Sequence, residues 1–259
     1  MPVALIRAVS PTIDGCELSY IARTPIDVAR AVAQHAAYER CLERRGYTLV
    51  RIDEAPDCPD AVFVEDTAVV LDEVAIVTRP GAESRRAEVG AVATVLQRYR
   101  PLRRIEGPAT LDGGDVLRIG RTVFVGHSRR TNDDGLEQLG AIAAEFGYAF
   151  HPVSFRGCLH LKSAVTHCGG RDLLVNPEWI DARQFRGFEA MAIDPGEPFA
   201  ANILRAGDGL IHGASFPRTR RALEQRGYRV EAIDLSELEK AEGGVTCGAI
   251  VVGSVDDER

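Results

Sequence analysis

A cysteine and a histidine are the residues of this chain best suited to nucleophilic chemistry. Cys247 lies in the glycine-rich segment Gly-Gly-Val-Thr-Cys-Gly at residues 243–248, and such glycines let a ligand or another backbone approach the thiol closely. His160 and Lys162 share one face if residues 159–166 form a strand, because side chains alternate between two faces. Two ordinary interpretations stay open: a lone cysteine is often a small buried hydrophobe, and His160 and Lys162 could lie on the polar outer face of an edge strand.

Acidic residues interrupt an apolar run in the first third of the chain. Glu65 and Asp66 stand between the apolar residues 61–64 and 68–70, and neighbours on a strand face opposite ways, so at least one should point inward. No Arg or Lys occurs between Arg51 and Arg79. Because a buried carboxylate needs a cation or a donor, the partner must come from elsewhere in the chain or from a ligand.

Further charged residues stand where a turn or a helix begins. Asp112 opens an Asp-Gly-Gly-Asp segment, which is either a plain turn or a carboxylate that the backbone holds close to a cation. Arg85 and Arg130 each stand at a predicted helix start, where the helix dipole disfavours a cation and favours an anion. They therefore face solvent or bind a ligand carboxylate through both nitrogens. Together, these acids and arginines fit a ligand with a cation at one end and a carboxylate at the other, such as an arginine-type amino acid.

The elements that must position these residues repeat along the chain. Three helix-to-strand junctions contain a Gly-Tyr pair, at residues 46–47, 147–148 and 227–228, where glycine can adopt the left-handed conformation that ends a helix. With two weaker junctions, near residues 100 and 190, the spacing is roughly 40 to 55 residues, which is typical of repeat arrays. Each unit is predicted to contain strand, strand, helix and strand. In the second unit we expect strands over residues 61–70 and 74–78 and a helix over 84–98. In the third unit we expect strands over residues 116–119 and 123–125 and a helix over 133–146.

We therefore predict one α/β domain over residues 1–259, a closed pseudo-fivefold propeller of five ββαβ repeats. A doubly wound Rossmann sheet is the alternative, but no Gly-x-Gly-x-x-Gly motif follows the first predicted strand.

Composition narrows the classes of partner. The net charge of -7 disfavours nucleic acid and anionic membranes, and no apolar stretch approaches the roughly 18 residues of a membrane span. The six cysteines are scattered without Cys-x-x-Cys pairs, which favours neither a disulfide framework nor a zinc site. We expect a cytoplasmic protein without a leader, and a homodimer is compatible with these features.

Five segments, in order along the chain, resemble the dimethylarginine dimethylaminohydrolases, members of the guanidine-modifying (pentein) superfamily of fivefold α/β propellers. The segments are residues 63–66 (FVED), 111–116 (LDGGDV), 130–132 (RTN), 159–163 (LHLKS) and 239–247 (EKAEGGVTC). Both lysines of the chain, Lys162 and Lys240, fall inside them. The resemblance implies the pentein fold, a small-molecule substrate and no metal or organic cofactor.

The resemblance also implies a role for each matching residue. Cys247 would be the nucleophile, His160 the general acid and then the general base, and Asp112 the carboxylate paired with His160 or with a substrate nitrogen. The implied substrate-binding residues are Glu65 and Asp66 for the guanidinium, Asp60 with the backbone of Leu18 and Ala241 for the α-amino group, and Arg85 with Arg130 for the carboxylate. The segment around Leu18, residues 15–19, is predicted to be a lid and is the stretch least like the family.

Lys162 separates activities within the superfamily. The similar arginine and agmatine deiminases place an aspartate there, which holds both unsubstituted nitrogens, and we predict that Lys162 instead pairs with Glu242. The implied reaction is hydrolysis of Nω-methylated arginine to citrulline and an alkylamine through a thiouronium on Cys247. Nearby acids should raise the pKa of Cys247 above the ~8.5 of a free thiol, so the bound guanidinium would favour the thiolate.

Three alternatives stay open. The first is a hydrolase of the same fold that acts on citrulline or on another ureido or guanidino amino acid. The second is a non-catalytic binding module built on the same propeller. The third is a metal hydrolase that uses Cys158, His160 and His167, although their spacing is not typical of a ligand set.

Overall fold

The computed structural model describes residues 2–253 and contains five three-stranded sheets. The strands are β1 (Val3–Ile6), β2 (Thr48–Arg51), β3 (Ala68–Val70), β4 (Ala75–Val77), β5 (Leu102–Arg104), β6 (Val116–Ile119), β7 (Thr122–His127), β8 (Ala149–Ser154), β9 (Val165–Gly169), β10 (Asp172–Val175), β11 (Glu189–Ala192), β12 (Ile203–Ala206), β13 (Gly209–Gly213), β14 (Val230–Ile233) and β15 (Ile250–Val252). The strand orders are β15-β1-β2, β3-β4-β5, β6-β7-β8, β9-β10-β11 and β12-β13-β14.

Six α-helices and five short 3₁₀ helices connect the strands. The α-helices are α1 (Val28–Arg44), α2 (Val89–Leu96), α3 (Asp133–Glu145), α4 (Leu161–Ala164), α5 (Pro217–Gln225) and α6 (Ser236–Glu239). The 3₁₀ helices are Ile13–Gly15, Val64–Thr67, Glu83–Glu88, Gly113–Asp115 and Ala182–Gln184. None of the helices in residues 2–253 is long and apolar enough to cross a membrane.

Every sheet has the same internal order. Its first two strands pair antiparallel, and its last two strands pair parallel. The parallel pair requires a crossover connection. This connection contains an α-helix in the first, second, third and fifth units and the 3₁₀ helix Ala182–Gln184 in the fourth unit. Gly46, Gly147 and Gly227 follow three of the crossover helices with φ of 89°, 74° and 97°, so the predicted left-handed helix ends are confirmed. The pseudo-fivefold ββαβ fold is likewise confirmed.

The two ends of the described chain close the ring. β15 pairs with β1, with Leu5 opposite Ile250, so the last strand completes the first sheet. The strands β15, β3, β6, β9 and β12 begin their sheets and lie on the inner side, where β15 contacts β3 and β9 contacts both β6 and β12. The domain prediction extends to residues 1–259, and its ends, residues 1 and 254–259, lie outside the described residues.

Three local predictions differ from the structure. Residues 61–70 were expected to form one strand, but a turn and the 3₁₀ helix Val64–Thr67 precede β3. The helix expected over residues 84–98 is divided into the 3₁₀ helix Glu83–Glu88 and α2. Residues 159–166 are not a strand, since α4 takes up their middle. The Asp115 carboxylate accepts the backbone N–H of Leu161 at 3.0 Å, and this bond from a distant acid favours a helical turn there.

Candidate active site

Cys247 and His160 line one small cavity. Its other lining residues are Glu17, Asp60, Phe63, Asp66, Arg85, Arg130, Leu159, Ala241, Glu242 and Gly243. The ring thus brings together residues from the second unit, the third unit and the C-terminal loop. A larger opening of about 250 Å³ lies against Glu65, Lys162 and Thr246 instead, together with the inner strands.

His160 is held between two carboxylates. Its Nε2 lies 3.0 Å from Asp112 Oδ2, and its Nδ1 lies 3.7 Å from Asp66 Oδ1. Burial of the imidazole lowers its pKa, but the charges of Asp66, Asp112 and Asp115 outweigh burial and raise the pKa to about 9. His160 is therefore an imidazolium at neutral pH and can donate a proton to a leaving group.

The Asp-Gly-Gly-Asp turn determines where these carboxylates lie. Asp112 Oδ1 accepts the backbone N–H of Gly81 at 2.8 Å, which fixes one oxygen and leaves Oδ2 for His160. A Cβ on Gly114 would lie 2.6 Å from His160 Nδ1 and 2.7 Å from Asp66 Oδ1. Only glycine fits here, so the glycine lets histidine and aspartate meet.

Cys247 stands on the loop between α6 and β15 and is partly exposed. Its Sγ accepts the backbone N–H of Gly244 at 3.3 Å. Burial, followed by the charges of Glu65 and Asp66, raises the pKa of the thiol to about 12. The direction agrees with the sequence prediction: the thiol is neutral until a cation enters the cavity.

Arg85 and Arg130 have very different partners, although both are buried. The Arg85 guanidinium bonds Asp66 Oδ2 at 2.5 Å, both oxygens of Glu88 at 2.8 and 3.2 Å, and the Phe63 carbonyl at 2.8 Å. Burial lowers the pKa of Arg85, but these carboxylates raise it well above its usual value. The guanidinium of Arg130 instead has Asp112 Oδ2 at 3.9 Å.

Lys162 does not pair with Glu242, and that prediction is wrong. Its Nζ donates to Glu65 Oε1 at 2.6 Å, while Glu65 Oε2 accepts the hydroxyl of Thr246 at 2.7 Å. The predicted strand would have placed His160 and Lys162 on one face, but α4 begins between them, and His160 lines the small cavity while Lys162 lines the larger opening. Glu65, whose backbone N–H donates to the Cys247 carbonyl at 3.2 Å, also lines the larger opening and not the small cavity.

Of the three predicted amino-end residues, Asp60 and Ala241 line the cavity and Leu18 does not. Asp60 Oδ2 accepts the backbone N–H of Glu17 at 3.0 Å, and burial raises the pKa of Asp60. Ala241 lines the cavity, while the side chain of Leu18 packs against the neighbouring hydrophobic core. Glu242 accepts the backbone N–H groups of Ser19 and Tyr20 at 2.8 and 2.7 Å.

Several residues of the site were not singled out from the sequence. Glu88 fixes Arg85 and stands three residues after it, a helical spacing that could have indicated the pair. Asn202 donates to the Lys162 carbonyl and to Thr246 Oγ1, both at 3.0 Å, and nothing in its neighbourhood in the sequence indicates this role. Asp115 was quoted only within a motif, although its carboxylate holds the start of α4.

The residues that could hold a metal ion differ from the trio that the sequence suggested. Among the described residues, the group whose ligand atoms lie within 4.8 Å of one another is Asp66, Asp112 and His160. Arg85 already bonds Asp66, and the imidazolium of His160 would have to lose its proton to bind a cation. The side chains of Cys158, His160 and His167 do not form a ligand set among the described residues. The Cys158 thiol donates to the His160 carbonyl, and His167 lines the larger opening.

The fold, with the cysteine and the histidine that line one cavity, defines the class of protein, a five-bladed α/β propeller enzyme. Residues 20–188 match the family model described as N,N dimethylarginine dimethylhydrolase, eukaryotic. The chain is 36% identical over 237 residues to the N(G),N(G)-dimethylarginine dimethylaminohydrolase of Pseudomonas aeruginosa, covering 91% of this chain and 92% of the relative. It is 39% identical to the enzyme of the same name from Streptomyces coelicolor, with 94% of each chain covered.

Solved structures agree with these relatives. A dimethylarginine dimethylaminohydrolase variant in an adduct with S-methyl-L-thiocitrulline has a TM-score of 0.91 at 34% identity, with 96% of this chain and 98% of that chain covered. A cysteine-to-serine mutant of the Pseudomonas aeruginosa enzyme in complex with citrulline has a TM-score of 0.89 at 33% identity, with the same coverage. The chain belongs to the dimethylarginine dimethylaminohydrolase family and is a hydrolase of that family.

Proposed function

We propose that the protein hydrolyses Nω-methylated arginine, either asymmetric dimethylarginine or monomethylarginine, to citrulline and the corresponding methylamine. The observation that carries the proposal is the cavity in which the Cys247 thiol, the His160 imidazolium and the Asp66 carboxylate meet. The names of the relatives and the citrulline and S-methyl-L-thiocitrulline bound to them support the same chemistry.

The substrate would lie with its charges matched to the cavity. Its guanidinium would lie near Asp66, close to the thiol, and its carboxylate would bind Arg130, with Arg85 behind it. Its α-ammonium group would bind Asp60 and the backbone carbonyls of Leu18 and Ala241. This pose places a cation beside a thiol whose pKa is about 12, so binding favours loss of the thiol proton to solvent.

The reaction then follows from the positions of two groups. The Cys247 thiolate attacks the guanidinium carbon and forms a C–S bond. The C–N bond to the methylated nitrogen breaks, its electron pair stays on nitrogen, and His160 supplies the proton that makes a neutral amine. His160, now neutral, takes a proton from water as the water attacks the thiouronium carbon. The C–S bond then breaks with its electron pair on sulfur and the hydroxyl proton passes to solvent, which releases citrulline and restores the thiolate.

Selectivity for methylated substrates would come from Lys162. Because Lys162 holds one oxygen of Glu65 and Thr246 holds the other, Glu65 has less capacity to clamp a guanidinium nitrogen. Unmethylated arginine would then bury N–H donors without full partners, a cost of roughly 1–3 kcal/mol. In this proposal Lys162 favours methylated substrates through its ion pair with Glu65 and not through Glu242.

A product assay tests this function. Mass spectrometry should detect citrulline from both methylated arginines, and kcat/KM for plain arginine should be lower by about 10- to 100-fold. Citrulline itself should be recovered unchanged. If arginine were the best substrate, the protein would be a deiminase; if citrulline were consumed, it would be a ureido hydrolase.

We also propose that the chain works as one domain in the cytoplasm. The acidic net charge and the small cavity lined by charged side chains support a small-molecule substrate and disfavour nucleic acid and membrane partners. No step of the proposed reaction requires a cofactor, and a homodimer is compatible with it.

A further inference from the structure

Glu242 has an unusual backbone conformation. Among residues 2–253 it is the non-glycine residue with a positive φ, 58°. The left-handed region is unfavourable for a residue with a side chain and persists when surrounding contacts hold it. Glu242 also stands between Ala241 and Gly243 in the cavity wall, five residues before the nucleophile. A contact that holds this conformation therefore acts beside the reacting groups.

That contact joins Glu242 to the N-terminal segment of residues 17–26, whose Glu17 lines the cavity. Its Oε2 accepts the backbone N–H of Ser19 at 2.8 Å, and its Oε1 accepts that of Tyr20 at 2.7 Å. Hydrogen bonds to a carboxylate are stronger than bonds between neutral groups. Both oxygens act on consecutive peptides, so the carboxylate works as a two-point clasp.

The clasp matters because residues 18–22, in the middle of the segment, make no other hydrogen bond to the described residues. Residues 17–26, all described, belong to no helix or strand and make no backbone–backbone hydrogen bond. Carboxylates hold this segment instead: Asp60 takes the N–H of Glu17, and Glu242 takes those of Ser19 and Tyr20. Asp60 and Glu242 also line the cavity, so the carboxylates that hold the segment are also placed to contact a ligand.

Leu18 lies between the two attachment points. The Leu18 carbonyl and the Ser19 N–H belong to one planar trans peptide, so they point in opposite directions. When Glu242 fixes the Ser19 N–H, it also fixes the direction of the Leu18 carbonyl. In the proposed function, that carbonyl binds the α-ammonium group of the substrate.

We propose that Glu242 is a positioning residue, whose carboxylate clasps residues 19 and 20 and thereby orients the Leu18 carbonyl for an α-ammonium group. The clasp itself is independent of the reaction, whereas the part concerning the substrate rests on the proposed function. Glu242 acts on affinity for the amino end and has no part in bond breaking. The neighbouring Glu239 has a different partner, since the Ser215 hydroxyl donates to it at 2.7 Å.

Two variants test the clasp. Glu242→Gly removes the carboxylate and tolerates the positive φ, so it should fold; Glu242→Gln keeps one acceptor oxygen. Glu83→Gln, on an exposed side chain, is the matched control. In hydrogen exchange without ligand, the amides of Ser19 and Tyr20 should exchange at least about 10-fold faster in Glu242→Gly, with Glu242→Gln intermediate and Glu83→Gln unchanged. Unchanged exchange in Glu242→Gly would overturn the clasp.

Kinetics test the positioning role. With methylated arginine, Glu242→Gly should raise KM by about 10- to 100-fold and change kcat by less than about 3-fold. With an analogue that lacks the α-amino group, Glu242→Gly and the unsubstituted protein should have similar KM. An equal rise in KM for both compounds would overturn the link to the α-ammonium group. Failure of the unsubstituted protein to hydrolyse methylated arginine would sink the proposed function, while the exchange measurement would still decide the clasp.

Discussion

The wall of the cavity that carries His160 is built from charged side chains that bond one another, whereas the wall that carries Cys247 is a loop. In the first wall, Asp66 bonds Arg85 and lies beside His160, and Asp112 holds the far nitrogen of the ring. In the second, the thiol accepts one backbone N–H, from Gly244. The reactive group of the first wall is consequently charged in the free protein, and that of the second wall is neutral.

Both walls raise the pKa of their reactive group, with opposite results. The acids around His160 raise the pKa of the imidazole to about 9 and keep it charged, while burial and the same acidic surroundings raise the pKa of Cys247 to about 12 and keep it neutral. The histidine wall is thus ready to donate a proton before any ligand arrives. The cysteine wall needs a cation from outside, which a guanidinium substrate brings.

The largest effect should come from the cysteine wall. Cys247→Ser replaces the attacking atom and leaves the charged network intact, so turnover of methylated arginine should fall by at least about a thousandfold, roughly 4 kcal/mol. Substrate binding, measured by calorimetry, should change little. A serine variant that retained more than a thousandth of the rate would remove Cys247 as the nucleophile.

The next prediction compares Arg85 with Arg130. Arg85→Ala would leave Asp66 and Glu88 buried without their cation, so it should lower the free energy of unfolding by about 3–5 kcal/mol. Arg130→Ala breaks no short ion pair and should leave stability within about 1 kcal/mol, while raising KM by about 10- to 100-fold through the lost carboxylate contact. Urea unfolding and steady-state kinetics measure the two quantities.

A decarboxylated substrate analogue gives the control for this pair. It lacks the group that Arg130 would bind, so its KM should be similar in Arg130→Ala and the unsubstituted protein. Equal losses for the analogue and for methylated arginine would argue against carboxylate binding. If both arginine variants unfolded equally easily, the difference in their partners would not matter to stability.

Local signals predicted much of the fold. The strands β6 and β7 and the helix α3 lie where the sequence predicts them, because the Gly120 turn, the Asn132 side chain that accepts the N–H of Gly135, and left-handed Gly147 mark their ends. Each of these signals acts within a few residues. The predicted ring follows from repeating them.

Contacts distant in sequence account for the errors. Residues 159–166 alternate as a strand would, but the Asp115 carboxylate, 46 residues from Leu161, favours a turn. Arg85 also bonds Asp66, 19 residues away, a contact that the sequence does not indicate, while its role toward a ligand carboxylate stays a prediction. Glu242 was predicted to pair with Lys162, yet its partners lie 222 and 223 residues away. The partner of a charged side chain depends on which segments the closed ring brings together. The periodicity of the sequence does not show this.

The smallest expected effect is a displacement of the pH profile, and it tests the histidine wall directly. Below pH 9 the free protein carries a proton on both the thiol and the imidazole, because their pKa values are about 12 and about 9. Attack requires a thiolate together with an imidazolium, and this state has one proton fewer than the free protein below pH 9. The value of kcat/KM should therefore rise about tenfold per pH unit and level off near pH 9, above which the free protein has already lost one proton.

Asp66→Asn removes the charge that contributes most to the raised pKa of His160. The imidazole should then lose its proton at a lower pH, and the rise in kcat/KM should end at a correspondingly lower pH, whatever the height of the plateau. Asp72→Asn is the matched control, because Asp72 pairs with Arg118 and does not line the cavity. Nuclear magnetic resonance of the imidazole protons gives the pKa of His160 independently. A profile that levels off at the same pH in Asp66→Asn as in the unsubstituted protein would mean that Asp66 does not hold the charge on His160, and the raised pKa would have to come from Asp112 and Asp115.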